Sequence, residues 1–402
     1  MSNGSALRRM LRAAAAVAMA VALLFGQAAR AEAVRPEQAL AALFAAPAAD
    51  AAAFAPGFLA RLPAGQVTQI VAALRREHGS LGGVEAAADG FTLRFARARI
   101  PARISLDADG RIAGLWFGAA EAEGDLDSLA AAIRALPGRT SVLVITDGRE
   151  LVTHEASTPL AVGSAAKLAI LAAVQRAVAQ ARLAWDAVVK LDPGWRSLPT
   201  GQLQDWPEGT PLTVATLAHL MVSISDNTAT DTLIRLVGRE AVEALSPRNA
   251  PFATTRELFI LKAGEHAGLR REWRDGDGAG RRALLEAIAA APLPRPEALS
   301  PAPTPEVAWV MTAGEVCALL EATADLPSVG INSGPADRGE WRAVAYKGGS
   351  DVGVLNLSSR LVGRDGRVHC VVATWNGDGA LDEGRLIAPY RGLIARLAGR
   401  SD

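Results

Sequence analysis

Three short stretches carry residue types that could do nucleophilic chemistry without a histidine. In AVGSAAKLAIL, residues 161–171, Ser164 and Lys167 stand three apart at the start of an apolar run that has no Pro or Gly from Ala165 to Leu183. Such a run predicts a helix, and on a helix i and i+3 lie on one face, about one turn apart. Burial would disfavour the charged amine and lower its pKa. Lys167 could then take the proton of the Ser164 hydroxyl and make it a nucleophile, while the exposed N–H groups of the helix start favour developing negative charge. In SISDNTATD, residues 223–231, Ser225 and Asn227 are two apart and would face one side of a turn. The hydroxyl could relay a proton to a leaving group, and the amide could hold a substrate carbonyl. In AYKGGSD, residues 345–351, Lys347 is followed by Gly348 and Gly349, and two glycines let another surface approach the backbone closely. The Lys347 amine would attract a substrate carboxylate, and the backbone N–H groups of Ser350 and Ser164 could form an oxyanion hole. Each stretch by itself also fits a plainer use: a serine helix cap followed by a surface lysine, an Asx-type turn between two helices, and a strand-end bend with a solvated lysine.

Rival chemistries lack their signatures. The chain has no G-x-S-x-G, and His78, His154, His219, His266 and His369 fall in no motif. No His-x-x-x-His or His-x-Glu cluster points to a metal, so neither metal nor cofactor is expected. DADG at 107–110 begins like a calcium loop but lacks the late glutamate, and reads as a turn. His219, six residues before Ser225, is expected on a helix surface or in packing. Trp206 either walls a cleft or packs.

The elements that must position these groups can be read in order. Residues 35–60 predict one or two short helices and 66–77 another. Alternating segments follow at Phe91 to Ala96, Ala102 to Leu106 and Ile112 to Phe117, with Asp109-Gly110 as a hairpin turn. This outlines a small α+β domain over 34–120, a curved sheet wrapped on helices like the nuclear-transport-factor-2 or ketosteroid-isomerase shape, with a binding or packing role. A polar joint at 120–128 leads to a helix at 127–136, then strands at 141–146 and 151–155 around Asp147-Gly148. After the Ser164 helix comes a Pro/Gly/Trp-rich loop, 192–212, long enough to suggest function. Thr213 caps the next helix, 228–245 is helical, and 246–310 mixes loop and helix before a helix at 311–324. Strands at Ala343 to Lys347, Gly353 to Leu361 and Arg367 to Trp375 and a final helix at 384–398 close the chain. Two strands open this domain, over 125–402, and three close it, so a mixed α+β fold with the terminal strands in one antiparallel sheet is expected.

The 402 residues are 50% hydrophobic, enough for two cores, and 42 basic residues balance 42 acidic ones. That balance gives no electrostatic footprint for nucleic acid; the expected partner is a small-molecule substrate. Arg8, Arg9 and Arg12 precede an apolar run from Ala13 to Phe25 and an Ala29-Arg30-Ala31 cleavage pattern. This predicts a secretory signal peptide over 1–31, too short for a membrane span, and a periplasmic or secreted mature protein without a stable span. Export permits a disulfide, so Cys317 and Cys370 are either one bridge or two separate buried thiols. Oligomeric state is not legible.

Taken together, Ser164-Ala165-Ala166-Lys167, Ser225-Asp226-Asn227 and Lys347-Gly348-Gly349 resemble the three motifs of the penicillin-recognising serine hydrolases, specifically the class A β-lactamase group. TPLTVATLAHLMVSISDNTATDTLIRLVG, residues 210–238, is similar to that family's helix–loop–helix almost throughout, and the resemblance covers about 125–400. It implies a β-lactamase/transpeptidase-like fold, an antiparallel sheet flanked by helices. The small domain ahead of it resembles the layout of the β-lactamase-like cephalosporin esterases of clavulanic acid biosynthesis. It also implies roles: Ser164 as nucleophile, Lys167 as general base or its helper, Ser225 as proton relay, Asn227 at the acyl amide, and Lys347 steadying Ser225 and the substrate carboxylate. Two positions depart. Gly348 stands where the family has a hydroxyl, so one hydrogen bond to the substrate carboxylate is either missing or made by Ser350 instead. No R-x-E-x-x-L-N string lies between 238 and 300; the nearest, TTRELFILK, places Glu257 after Arg256 on a predicted helix, as a structural glutamate. Without a positioned base an acyl-enzyme should hydrolyse slowly. The expected activity is acyl transfer from β-lactams or related esters; the alternatives are a D-alanyl-D-alanine peptidase or peptidoglycan hydrolase, and a non-catalytic penicillin-binding sensor.

Overall fold

The computed structural model describes residues 34–399; the expected signal peptide lies outside them. The described chain forms two compact units, one of residues 34–96 and 100–118 and one of 97–99 and 119–399.

In the first unit, helices α1 (Pro36–Ala45) and α2 (Ala64–His78) precede an antiparallel meander of β1 (Leu81–Ala87), β2 (Gly90–Phe95), β3 (Ala98–Leu106, of which Ala98 and Arg99 count with the second unit) and β4 (Ile112–Phe117). β1 is absent from the sequence expectation: Gly82 and Gly83 remove the alternation that marks a strand, and only pairing to β2 reveals it. Phe44 of α1 packs edge-on against Phe95 and Phe117, with ring centroids 5.3 and 5.8 Å away.

The second unit is built on one six-stranded antiparallel sheet. Helix α3 (Leu126–Arg134) leads into β5 (Arg139–Thr146) and β6 (Arg149–His154). The chain then leaves the sheet through α4 (Lys167–Ala179), α5 (Val214–Ser223), α6 (Asn227–Val237), α7 (Thr255–Lys262), α8 (Ala267–Asp275), α9 (Gly278–Ile288) and α10 (Ala313–Ala322). It returns as β7 (Ala343–Tyr346), β8 (Gly349–Asp351), β9 (Val354–Val362) and β10 (Val368–Asn376), and ends in α11 (Gly384–Leu397). The strand order is β7-β9-β10-β5-β6, with β8 also on β9, so the terminal strands share one sheet. β8 is a strand that the sequence pattern does not announce, and the helix expected to reach Leu183 stops at Ala179. The single helix expected over 228–245 breaks at Gly238, whose φ of +85° ends α6.

Alternation places the two cores. Val142 and Val144 of β5, with Val371 and Ala373 of β10, face α3 and α11, where Leu129, Ile133, Leu386, Tyr390 and Leu393 are buried. Leu143 and Val372 face the other way, onto α4 and the helices around it. A sheet covered on both faces explains why SVLVIT reads as a continuous apolar run. The polar residues of β9 are reconciled with burial by pairing: Asn356 Nδ2 donates to Thr374 Oγ1 (2.9 Å), Ser358 Oγ to Asn356 Oδ1 (2.7 Å), and Tyr390 Oη to Ser359 Oγ (2.8 Å).

Cys317 and Cys370 form a disulfide that ties α10 to β10, 53 residues apart in sequence. Of the two readings open in the sequence, the bridge is the one realised. Closing a loop of that length restricts the unfolded chain, worth up to about 4 kcal/mol on the entropic model. Cys317→Ser/Cys370→Ser should therefore lower the urea midpoint of the second unit's transition by an equivalent amount, with the slope read alongside it; an unchanged midpoint would count against that restriction.

Candidate active site

The nucleophile candidate is delivered by a change of helix type. Gly163, at φ +50°, starts a 3₁₀ turn over Gly163–Ala166 that runs directly into α4. Ser164 lies on this turn and lines a cavity of about 780 Å³, and Lys167 heads α4 with its side chain fully buried. The Lys167 amine is surrounded by oxygen. Nζ lies 2.6 Å from Ser225 O, 3.1 Å from Ser225 Oγ and 2.7 Å from Asn227 Oδ1.

Ser225 sits between α5 and α6 in the left-handed region, φ +60°, a costly conformation for a residue with a side chain. The surroundings enforce it. Asp226 caps α6, accepting from Ala229 N at 2.8 Å, and its other oxygen accepts from Gln202 N (2.7 Å) and Leu203 N (3.0 Å). Thr200 Oγ1 donates to Ser225 O at 2.7 Å, Asn227 N donates to Thr200 O at 3.0 Å, and Asn227 Nδ2 donates to Leu198 O at 3.0 Å. Thus the long loop of 192–212 clamps the turn that presents Ser225. The clamp needs Gly201: a Cβ there would stand 2.3 Å from the Asp226 carboxylate. In place of the Asx-type turn that competed with a functional reading of this stretch, Asp226 makes a helix N-cap, and it serves to aim its neighbours.

Lys347 arrives from the opposite side, just past β7. Its amine donates to Gly348 O (2.6 Å) and lies 3.2 Å from Ser225 Oγ. One hydroxyl is therefore within reach of two buried amines. Burial brings Lys347 down to about 7. Lys167 is lowered well below its ordinary value, first by burial and then by the positive charge of Lys347, with Asp231 and Asp226 opposing.

Gly349 has no side chain because none fits. A Cβ would lie 2.1 Å from Val162 O and 2.4 Å from Ser164 N, and a Cβ on Gly163 would lie 3.0 Å from Ser350 N. The bare backbones let β8 press against the 3₁₀ turn, bringing the main chain at Ser350 beside that at Ser164. Of the seven residues singled out from sequence, Ser164, Ser225, Asn227, Lys347, Gly349 and Ser350 line this cavity, and Lys167 reaches it through Ser225 and Asn227.

Asp231 is a residue that sequence reasoning misses. It lies on α6 one turn after Asn227, fully buried, and accepts from Thr255 N (2.7 Å), Thr255 Oγ1 (2.8 Å) and Arg256 N (2.8 Å). It thereby anchors the start of α7. Burial raises its carboxyl to about 6 against those hydrogen bonds. The one signal in the sequence is its i,i+4 spacing from Asn227. α7 turns Leu258, Phe259 and Lys262 toward the cavity, and Lys262 pairs with Asp351 of β8 across it. Glu257 is buried elsewhere: it completes the capping box with Thr254 and pairs with Arg239, Oε1 to Nη2 at 2.7 Å, in keeping with a structural glutamate. Among the lining residues the carboxylates are Asp351 and Glu383, and no histidine is present. His219 Nδ1 contacts Ser328 Oγ at 2.9 Å, and Trp206 packs on the helical core rather than walling the cavity.

A model of the beta-lactamase enzyme family matches residues 126–276. No curated protein matches. Among solved structures, the β-lactamase from Sphaerobacter thermophilus DSM 20745 aligns at 23% identity over 69% of this chain and 98% of its own, with a TM-score of 0.50. A representative of class A β-lactamase from Bacteroides cellulosilyticus DSM 14838 aligns at 15% identity over 68% and 97%, TM-score 0.48. PBP-A aligns at 14% identity over 68% and 94%, TM-score 0.46. The chain has a β-lactamase-like α+β fold, and its resemblance to β-lactamase-type serine hydrolases holds.

Lys347 has a measurable consequence for stability. With a folded pKa of about 7 against 10.5 for the free side chain, the unfolded chain holds one more proton between those values. Stability should therefore rise with pH from about 7 to 10.5, and the cost of burying the charge is fully present below 7. Lys347→Met should flatten that rise by up to about 1.4 kcal/mol per pH unit, read from urea midpoints across the range; an unaltered slope would show that Lys347 titrates normally.

Proposed function

We propose that this protein is an exported serine acyl-hydrolase of the β-lactamase type, acting on β-lactams or related esters through an acyl-enzyme on Ser164. The observation that carries the reading is the placement of Ser225 Oγ 3.1 Å from the Lys167 amine and 3.2 Å from the Lys347 amine, in the cavity that Ser164 lines. A lysine buried this way is neutral often enough to act as a base. Lys167 takes the Ser164 proton as the hydroxyl attacks the carbonyl, whose oxygen gathers charge beside the Ser164 and Ser350 main-chain N–H groups. Ser225, between the amines, passes a proton to the departing nitrogen or oxygen. Asn227, fixed by Leu198 and Lys167, meets the acyl amide. Export rests on the N-terminal Arg-rich and apolar pattern.

Deacylation is the weaker half. The α7 residues lining the cavity are Thr255, whose hydroxyl donates to Asp231, Leu258 and Phe259, with Lys262 paired to Asp351, and Glu257 is engaged by Arg239. Nothing there activates a water, so the adduct should persist. That observation favours a second reading, a penicillin-binding peptidase or sensor, over rapid β-lactam turnover.

A fluorescent penicillin followed by intact-mass time courses tests both. The expected result is a single adduct that outlasts minutes in the wild type and is missing in Ser164→Ala, whose circular dichroism is unchanged. Rapid loss of the adduct with released product would favour turnover, and adduct formation in Ser164→Ala would end the proposal.

A further inference from the structure

One ion pair in the cavity takes no part in the chemistry proposed above. Lys262, the last residue of α7, pairs with Asp351, the last residue of β8, and both line the cavity that Ser164 lines. Their side chains keep 13% and 35% of their surface exposed, so the pair adds little to stability and stays open to a third charge. Each end has bonding capacity left. A lysine amine carries three donors, and among the described residues Asp351 is the hydrogen-bond partner of this one. Asp351 Oδ1 accepts from Val352 N at 2.9 Å and Oδ2 faces Lys262, which leaves lone pairs free on both oxygens. The other charged residues of the lining stand elsewhere: Lys347 beside Ser225, Glu383 just before α11, and Arg391 within that helix, which covers the far face of the sheet.

The β7–β8 edge sets out where the parts of a substrate must lie. Lys347 stands beside Ser225, where the leaving group departs. Gly349 and Ser350 lie against the backbone of Gly163 and Ser164, where the acyl carbon is held. Asp351 follows on β8, on the side away from Lys347, so the acyl group is the part that runs toward it. Behind the edge the ring of Tyr346 fills the space at Gly348, in a slot that Gly334 leaves clear, which keeps a substrate on the Lys347 face. Leu258 and Phe259, one turn before Lys262 on α7, give an acyl chain an apolar wall.

We propose that Lys262 and Asp351 select an acyl group with a zwitterionic end: a short methylene stem closed by an α-amino acid, its carboxylate on Lys262 and its ammonium on Asp351. The proposal rests on the acyl-hydrolase reading of this cavity. The selection comes from what each kind of group does to the pair. A group with one charge engages one partner in competition with the other, and leaves a charge poorly paired. A neutral group gains the apolar wall alone. A zwitterion gives each partner a second opposite charge and closes a ring of four alternating charges, so the penalty falls on the wrong substrates and the gain on the right one.

The test uses three penicillins that differ at the end of the side chain: 6-aminopenicillanic acid carrying a δ-(D-α-aminoadipyl), an adipyl or a 5-aminopentanoyl group. The second lacks the amine and the third lacks the side-chain carboxylate, while ring and leaving nitrogen are shared. Rates of Ser164 adduct formation are read from intact mass. The wild type should be acylated roughly 10- to 100-fold faster by the zwitterion than by either analogue, the value of one hydrogen bond to a charged group. Lys262→Met should erase the preference over the 5-aminopentanoyl analogue and keep that over the adipyl one, and Asp351→Asn should do the reverse. A strap that merely joins α7 to β8 would not give this crossed pattern. Equal rates for the three in the wild type, a preference for either singly charged analogue, or equal slowing of all three in both variants overturns the proposal. So does an adduct from fluorescent penicillin with none from these three, which leaves the acyl-enzyme intact. Absence of a Ser164 adduct from every one of these compounds overturns the hydrolase reading and this proposal with it.

Discussion

Two lysine amines converge on one serine hydroxyl inside the second unit, and everything around them follows from making that tolerable. Each charge would be costly to bury alone, and two within hydrogen-bond reach of a single oxygen repel one another. The fold keeps them there by giving Lys167 three oxygen partners and Lys347 a carbonyl and a hydroxyl. Burial lowers both pKa values, and the charge of Lys347 lowers that of Lys167 further. The lowered amine pKa that the proposed chemistry uses comes from desolvation rather than from a partner base.

That arrangement requires accurate aim from three unconnected parts of the chain. The start of α4 brings Ser164 and Lys167, the α5–α6 turn brings Ser225 and Asn227, and the β7–β8 edge brings Lys347 and Ser350. Buried acids hold the parts in place and take no role in the proposed chemistry. Asp226 ties the turn to the 198–203 loop, and Asp231 ties α6 to α7. Glycines handle the close approaches, most tightly where Gly349 meets the backbone at Val162 and Ser164. The same α7 that Asp231 anchors offers the cavity Leu258 and Phe259, so the wall is well built and lacks a base. On the proposed chemistry the cavity is therefore lopsided: well furnished for attack, poorly furnished for release.

Much of this is legible in the sequence because it is local. Helix and strand periodicity, the DG turns at 109–110 and 147–148, the cap at Thr213 and the three motifs all express short-range preferences that a linear string contains. Glu257 reads as a structural glutamate on a predicted helix for the same reason, and the structure makes it the capping partner of Thr254. What escapes the string is whatever depends on a distant partner. β1 and β8 are strands only because β2 and β9 supply their hydrogen bonds. Asp231 matters because Thr255 and Arg256 fold back onto it, and the cysteine pair closes only once α10 lies on β10.

The amino-acid order alone determined which residues could react and how each local element would form, because hydroxyl, amine and amide identities and i,i+3 spacing need no partner. Only the tertiary structure decided that Lys167 and Lys347 meet at Ser225, that α7 presents Leu258 and Phe259 to the cavity, and that Tyr346 lies over Gly348. The first two are distances between segments far apart in sequence, and the last depends on a slot that Gly334 clears from another loop. Sheet closure and packing set all three, and no property of a linear chain states them.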